Sequence, residues 1–267
     1  MKYELLKQVR RWRFYGALGI TLLAVLLTVG LYHALDIPGR MNIPAMVMVR
    51  YDAEIFAIFT TSMSTLAVIG AVFFSGDAIA SEYEHRTGYI LFPNPVKITT
   101  IVMGKYIACL IATSSIILVS YSVSALATLA FYGRVPAGML GSLGIALMLG
   151  CMVIGLAFLF SSVLKGGMGA TVATLLTYMV VFSIISGTLS YAGYDPWFMP
   201  DRAGDSLAST YGIPLGELAG GMYGGGRWMA GMIRASQDPL VSFAVLTAYA
   251  AVFLIAALWN SKRREMS

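Results

Sequence analysis

Few side chains in this sequence could take part in covalent or metal chemistry. His33 and His85 are far apart and, by the topology derived below, on opposite sides of a membrane, so they cannot converge on a metal ion or a catalytic triad. Cys109 and Cys151 both fall inside apolar runs, where a free cysteine behaves as a small buried hydrophobe. A phosphate-binding loop needs the spacing G-x-x-x-x-G-K-[ST]. Gly104 and Lys105 are followed by Tyr106 and lack the upstream glycine, so the chain is not expected to hydrolyse ATP by itself. No catalytic residue, metal ligand or bound cofactor is therefore assigned.

The remaining polar candidates are hydroxyls within apolar runs. Thr60, Thr61, Ser62, Ser64 and Thr65 form one group, and Thr171, Thr174 and Thr177 another. Thr61, Ser64 and Thr65 would share one helical face. Thr61, Ser64, Thr65, Thr174 and Thr177 are the candidates for lining a translocation path. Hydroxyls in membrane helices also serve packing or bond back to their own backbone, and both readings stand at this stage.

The elements that position these groups follow from composition. Of 267 residues, 58% are hydrophobic and 12% charged, against roughly 25% charged in soluble domains. The apolar residues gather into runs that exclude Asp, Glu, Lys and Arg. A helix needs about 20 apolar residues to cross the hydrocarbon core. Six runs qualify: 14–35, 55–76, 106–132, 137–164, 166–194 and 239–260. Backbone groups in lipid must be satisfied within each segment, so such runs become helices, and the expected fold is all-α, a single transmembrane domain over 1–267 with six transmembrane helices. The first run is longer than a signal-peptide core and shows no small-x-small cleavage pattern, so it is read as an uncleaved span.

The net charge of +5 does not form a basic stripe with interleaved aromatics, so no nucleic-acid partner is expected. The cations instead flank the runs. Placing both termini inside gives twelve on the cytoplasmic side, Lys2, Lys7, Arg10, Arg11, Arg13, Arg86, Lys97, Lys105, Lys165, Lys262, Arg263 and Arg264. Six remain outside: Arg40, Arg50, Arg134, Arg202, Arg227 and Arg234. The positive-inside bias thus predicts a multi-pass cell-membrane protein with both termini cytoplasmic. No Asp, Glu, His, Lys or Arg falls near the middle of a span, which argues against a proton- or ion-coupled carrier and for energy supplied from outside the membrane.

Three non-spanning pieces remain. Lys2 to Arg13 reads as an amphipathic helix along the inner leaflet, with Leu5, Leu6, Val9 and Trp12 on one face; a plain basic flank of the first span is the alternative. The outer loop 192–238 opens with the interfacial residues Tyr194, Asp195, Pro196, Trp197 and Phe198. Pro200 and Asp201 then start a short helix that Gly212 and Pro214 stop, ahead of a flexible Gly-rich run from Gly216 to Gly231.

The third piece, 77–105, lies on the cytoplasmic side. It combines acidic residues, a Thr-Gly break, an apolar turn and a Pro-x-Pro stop, and suits a short helix that protrudes and docks on a partner. Its Ser81-Glu82-x-Glu84, Thr87-Gly88, Pro95-Val96-Lys97 and Gly104-Lys105 resemble the segment between spans two and three of ABC transporter type-2 permeases, bacterial and archaeal subunits without a fused ATPase. Thr87 precedes Gly88 here, the reverse of the order in many relatives.

The resemblance extends over the whole chain in span number, amphipathic N-terminus and extended outer segment. It implies the permease half of an ATP-driven exporter, paired with a second permease copy or paralogue and two cytoplasmic ABC ATPase subunits that hold the ATP and magnesium. It also implies that a coupling helix contacts the ATPase through Glu82, Glu84, Arg86, Thr87, Gly88, Leu91, Phe92, Pro95 and Lys97. Membrane lipids are the remaining expected partner. An ion-coupled secondary transporter, a noncatalytic membrane scaffold or an intramembrane enzyme are the competing readings.

Overall fold

The computed structural model describes residues 10, 12–37, 45–63, 65–80, 98–164, 166–213 and 237–265. Every regular element among them is helical. In chain order these are α1 (Trp12–Ala34), α2 (Ala45–Ser62), α3 (Thr65–Ser75), α4 (Ile98–Tyr132), α5 (Gly138–Val163) and α6 (Gly167–Leu176). A π-helical turn (Thr177–Val181) joins α6 to α7 (Phe182–Tyr191). The short α8 (Pro200–Asp205), a 3-10 turn (Ser209–Tyr211) and α9 (Pro239–Glu265) complete the set.

Among the described residues, five helical stretches are long and apolar enough to cross a membrane: Trp12–Ala34, Thr99–Tyr132, Gly138–Val163, Gly167–Tyr191 and Pro239–Arg263. They answer to the first, third, fourth, fifth and sixth apolar runs. The second run, 55–76, is not one helix. It is divided between the end of α2 and α3, with Met63 in a turn whose carbonyl accepts from Leu66 N at 3.0 Å. The residues before the break supply a cause. Thr60, Thr61 and Ser62 each donate a hydroxyl back to the preceding turn, to Phe56 O, Ala57 O and Ile58 O at 3.2, 2.7 and 2.6 Å, and such back-bonding competes with helix propagation and bends helices. The first half of α2 carries Arg50, Asp52 and Glu54 and is kinked at Tyr51.

α4 begins eight residues before the predicted span and takes in Lys105. Its 35 residues reach about 52 Å, well beyond the roughly 30 Å hydrocarbon core, so one end stands clear of the apolar layer. The fifth run is a single path interrupted by the π turn, where Phe182 N donates to Thr177 O.

α5 is the central element, packed on α9, α3, α4 and α6. Without a hydrophobic drive between helices in lipid, close packing must hold the bundle, and small residues permit it. At Gly155 an added Cβ would lie 3.3 Å from Ala250 O and 3.3 Å from Phe253 Cβ, so α5 and α9 touch backbone to backbone there. The core divides into two clusters. Tyr32, Phe56, Ile116, Leu149, Met152 and Leu246 belong to the larger; Tyr106, Cys109, Ile154, Phe158 and Ala257 belong to the smaller, toward the Lys105 end.

Candidate functional site

At the Lys105 end of the bundle, the chain leaving α3 is fixed over the first residues of the stretch 77–105 read as a coupling segment. Ser161, fully buried near the end of α5, accepts hydrogen bonds through Oγ from Ile79 N at 3.0 Å and Ala80 N at 2.9 Å. The buried Lys105 donates through Nζ to Ala78 O at 2.6 Å. Arg13 Nη1, from the start of α1, pairs with Asp77 Oδ2 at 2.7 Å and also reaches Phe73 O at 3.4 Å. Asn260 Nδ2 on α9 donates to Ser162 Oγ at 3.3 Å. Three elements, α5, α4 and α1, thus converge on four successive residues, 77–80, and α9 reaches the neighbouring Ser162. Backbone donors buried without partners are costly, and Ser161 removes that cost at two adjacent positions.

The coupling candidates themselves, Glu82, Glu84, Arg86, Thr87, Gly88, Leu91, Phe92, Pro95 and Lys97, lie outside the described residues, as does Ser64. The amphipathic N-terminal stretch is described only at Arg10, Trp12 and Arg13, all exposed. The remaining hydroxyl candidates sit as follows. Thr61 is buried and bonds Ala57 O of its own helix and Tyr211 Oη at 3.1 Å. Thr174 is buried and bonds Ala170 O at 2.8 Å. Thr65 at the start of α3 and Thr177 at the π turn are half-buried. The turn at Met63 puts Thr61 and Thr65 on separate helices.

At the opposite end, the outer segment folds back onto the bundle. α8 starts with Pro200 in the first helical turn, where its missing N–H is no loss, and Gly212 stops the 3-10 turn in the left-handed region at φ 68°. Ser186 of α7 donates to Asp201 Oδ1 at 2.7 Å, Arg202 lies 3.7 Å from Asp195, and Gln237 Nε2 donates to Trp197 O at 2.7 Å. The 3-10 turn rests on Gly138 at the start of α5: a Cβ there would meet Thr210 O and lie 2.7 Å from Tyr211 Cα. Tyr211 is buried, and its hydroxyl meets Thr61 beside a second buried hydroxyl pair, Tyr121 Oη and Ser142 Oγ at 2.8 Å. Burial raises the Asp205 carboxyl to about 6, with Asp201 adding to the rise and Arg202 opposing it. Asp205 is nonetheless exposed by surface area, so protein crowding around the carboxyl rather than loss of solvent contact is the cause. Nearby, Arg134 bridges Asp52 at 2.8 Å and Glu54 at 3.0 Å, tying the α4–α5 connection to α2.

Sequence reasoning placed neither Ser161 nor Gly138 in a role. Ser161-Ser162 closing an otherwise apolar helix was the visible signal for the first. Nothing in the sequence pointed to the second, because its significance is a long-range contact.

Among the described residues no cluster of His, Cys, Asp or Glu could hold a metal ion. Helices long enough to span, packed around α5 with non-spanning segments fastened at each end, define a multi-pass membrane protein. Residues 1–266 match the family model described as ABC-2 family transporter protein, and the chain belongs to that family. A search of the curated proteins found no match. It is accordingly a permease, the membrane component of ABC transport rather than a catalytic one, in a family that generally works with an ATPase subunit.

Proposed function

We propose that this permease forms the translocation path of an ATP-driven exporter and takes its energy from a separate cytoplasmic ABC ATPase through residues 77–105. In this reading both termini are cytoplasmic, α2 and α3 together make the sixth crossing, a second permease copy or paralogue completes the path, and ATP and magnesium stay with the ATPase. The observation that supports it is the fixing of residues 77–80. Ser161, Lys105 and Arg13 grip the chain by short polar bonds where it departs for the segment carrying Glu82, Glu84, Arg86 and the apolar pair Leu91 and Phe92. A displacement imposed on that segment is then passed to α5, α4 and α1 at once, because polar bonds in a low-dielectric setting are directional and costly to break.

Thr61 and Thr65 near the break in the second crossing, and Thr174 just before and Thr177 at the start of the π turn of the fifth, are the proposed path residues. Both sites interrupt regular helix, and π turns recur at functional positions. The test is co-purification of the tagged chain from its native cells, followed by reconstitution with the ATPase recovered. The purified chain alone should show no ATP hydrolysis, and the complex should hydrolyse ATP. A Leu91 and Phe92 double replacement that inserts and dimerises normally should lose ATPase binding and transport. Normal transport by that variant would overturn the coupling role, and a cysteine at Glu84 labelled from outside sealed cells would overturn the orientation.

A further inference from the structure

A lateral groove of about 650 Å³ runs between α1, α3 and α6, within the range of small-molecule sites. Its floor is the close contact of α1 with α3, where a Cβ on Gly70 would stand 3.1 Å from Ala17 Cβ. Ile20, Ile69, Val172 and Leu175 make its walls apolar. The two threonines in the lining, Thr21 and Thr171, spend their hydroxyls on Ala17 O and Gly167 O of their own helices at 2.8 and 3.0 Å. Along its length the groove therefore offers an occupant van der Waals contact and little else.

One end differs. Arg13 and Asp77 close it, and the guanidinium is held in place through a single nitrogen: Nη1 serves both Asp77 Oδ2 and Phe73 O. The Nη2 and Nε donors carry no hydrogen bond to the described residues, and the Arg13 side chain is 55% exposed. Arg10 stands exposed just before it, and Lys7 and Arg11 precede it in sequence. An apolar trough with a preorganised, outward-facing guanidinium at one mouth, preceded in the chain by further cations, is complementary to a molecule with a long hydrocarbon tail and an anionic head. Guanidinium pairs with phosphate in a planar two-point geometry that a choline-bearing headgroup of no net charge does not favour, and local cations add attraction for anionic lipid.

We propose that this groove is a binding site for an anionic phospholipid of the leaflet on the Arg13 side, with one acyl chain between α1, α3 and α6 and the phosphate on Arg13. The site joins the α1 and α6 surfaces to Asp77, so an occupied groove would brace the first residue of the fixed stretch 77–80.

The experiment uses the full chain in phosphatidylcholine vesicles containing a small fraction of phosphatidylglycerol with a diazirine in its acyl chain, compared with a matched phosphatidylcholine probe. Photolysis should attach the phosphatidylglycerol probe at Ile20, Ile69 or Val172, with excess unlabelled phosphatidylglycerol competing. Gly16 has nothing within 4 Å of an added Cβ, so Gly16→Leu should fold and fill the trough. It should cut attachment about tenfold, and Val172→Trp on the opposite wall should do the same. Arg13→Gln, losing the charge-assisted bonds to phosphate, should cut it about tenfold for phosphatidylglycerol and leave the phosphatidylcholine background unchanged. Equal attachment of both probes, or undiminished attachment in folded Gly16→Leu and Val172→Trp, would overturn the proposal. So would capture of a second copy of the chain, rather than lipid, by a photoreactive residue at Ile20.

Discussion

The two ends of α5 fasten non-spanning chain by different physics. At Ser161 the fastening is polar and short-range in space: two backbone N–H groups enter one hydroxyl, an ammonium grips the neighbouring carbonyl, and an ion pair holds the residue before it. At Gly138 it is largely steric: a 3-10 turn lies on the backbone of a helix, and a buried aromatic ring fills the space beyond, its hydroxyl meeting that of Thr61. Directional bonds fix the register of a few residues and fail together, which suits a point where force enters. Contact packing spreads its energy over an area and yields gradually, which suits a cover over the ends of helices. On the proposed reading the first end receives the ATPase stroke, whereas the second seats the outer segment on the far end of the bundle.

The largest effect expected is at the steric end. Gly138→Val places carbon against Thr210 O and Tyr211 Cα, backbone atoms that cannot swing aside, and overpacking of this kind costs about 3 kcal/mol. Denaturation in mixed micelles should show that loss, and a cysteine at Thr210 should become freely reactive. An unchanged midpoint would mean the outer segment is not seated on α5.

Next in size is Ser161→Ala, which leaves the N–H groups of Ile79 and Ala80 without their acceptor. The expected cost is about 2 kcal/mol, but its more telling consequence is functional: insertion should be normal while ATPase activity no longer depends on cargo. Ser161→Thr, which keeps the oxygen, should restore part of the dependence. If Ser161→Ala transports normally, residues 77–80 do not carry the stroke.

The sequence made the helices legible wherever a run of about 20 residues excluded charge, because a segment that long and uniformly apolar satisfies its own backbone in lipid only as a helix. It did not show that the second run is divided between two helices, since hydropathy does not register the back-bonding of Thr60, Thr61 and Ser62 that accompanies the break at Met63. It understated α4 for the opposite reason: a helix continues past the membrane surface if its residues permit, and Lys105 ends an apolar run without ending a helix. The turn chemistry of the outer segment was readable, with Pro200 opening α8 and Gly212 closing the 3-10 turn. The grip of Ser161 on residues 79 and 80 was not, because it joins chain positions 81 and 82 residues apart.

Thr61→Val separates packing from hydrogen bonding at the steric end. The shape is kept, and Tyr211 Oη loses its partner on α2, for an expected cost of about 1 kcal/mol. A much larger loss would show that the two ends are more alike than their contacts suggest, with the cover also depending on a directional bond. The measurement is the denaturation midpoint of Thr61→Val beside those of Gly138→Val and the double variant. Coupling of the two changes would locate Tyr211 and the 3-10 turn in one cooperative unit.

The smallest effect belongs to Asp205, and its sign follows from linkage. Burial and the neighbouring Asp201 raise the carboxyl to about 6 against an ordinary value near 3.8, with Arg202 only partly offsetting them. A carboxyl whose folded value is raised binds its proton more tightly in the folded state, so the folded outer segment is favoured at low pH. That advantage is lost as pH rises from about 4 through about 6, where the unfolded chain ionises first, and it is absent above that window. Asp205→Asn removes the ionisation. The variant should therefore match the parent near the acid end of the window and exceed it in thermal midpoint above about 6. Asp205 is exposed, so solvent screens the carboxylate and the gap should be small. A gap that does not change with pH would show that α8 leaves this carboxyl in water, and that the cover over the bundle is looser than the seating of Tyr211 implies.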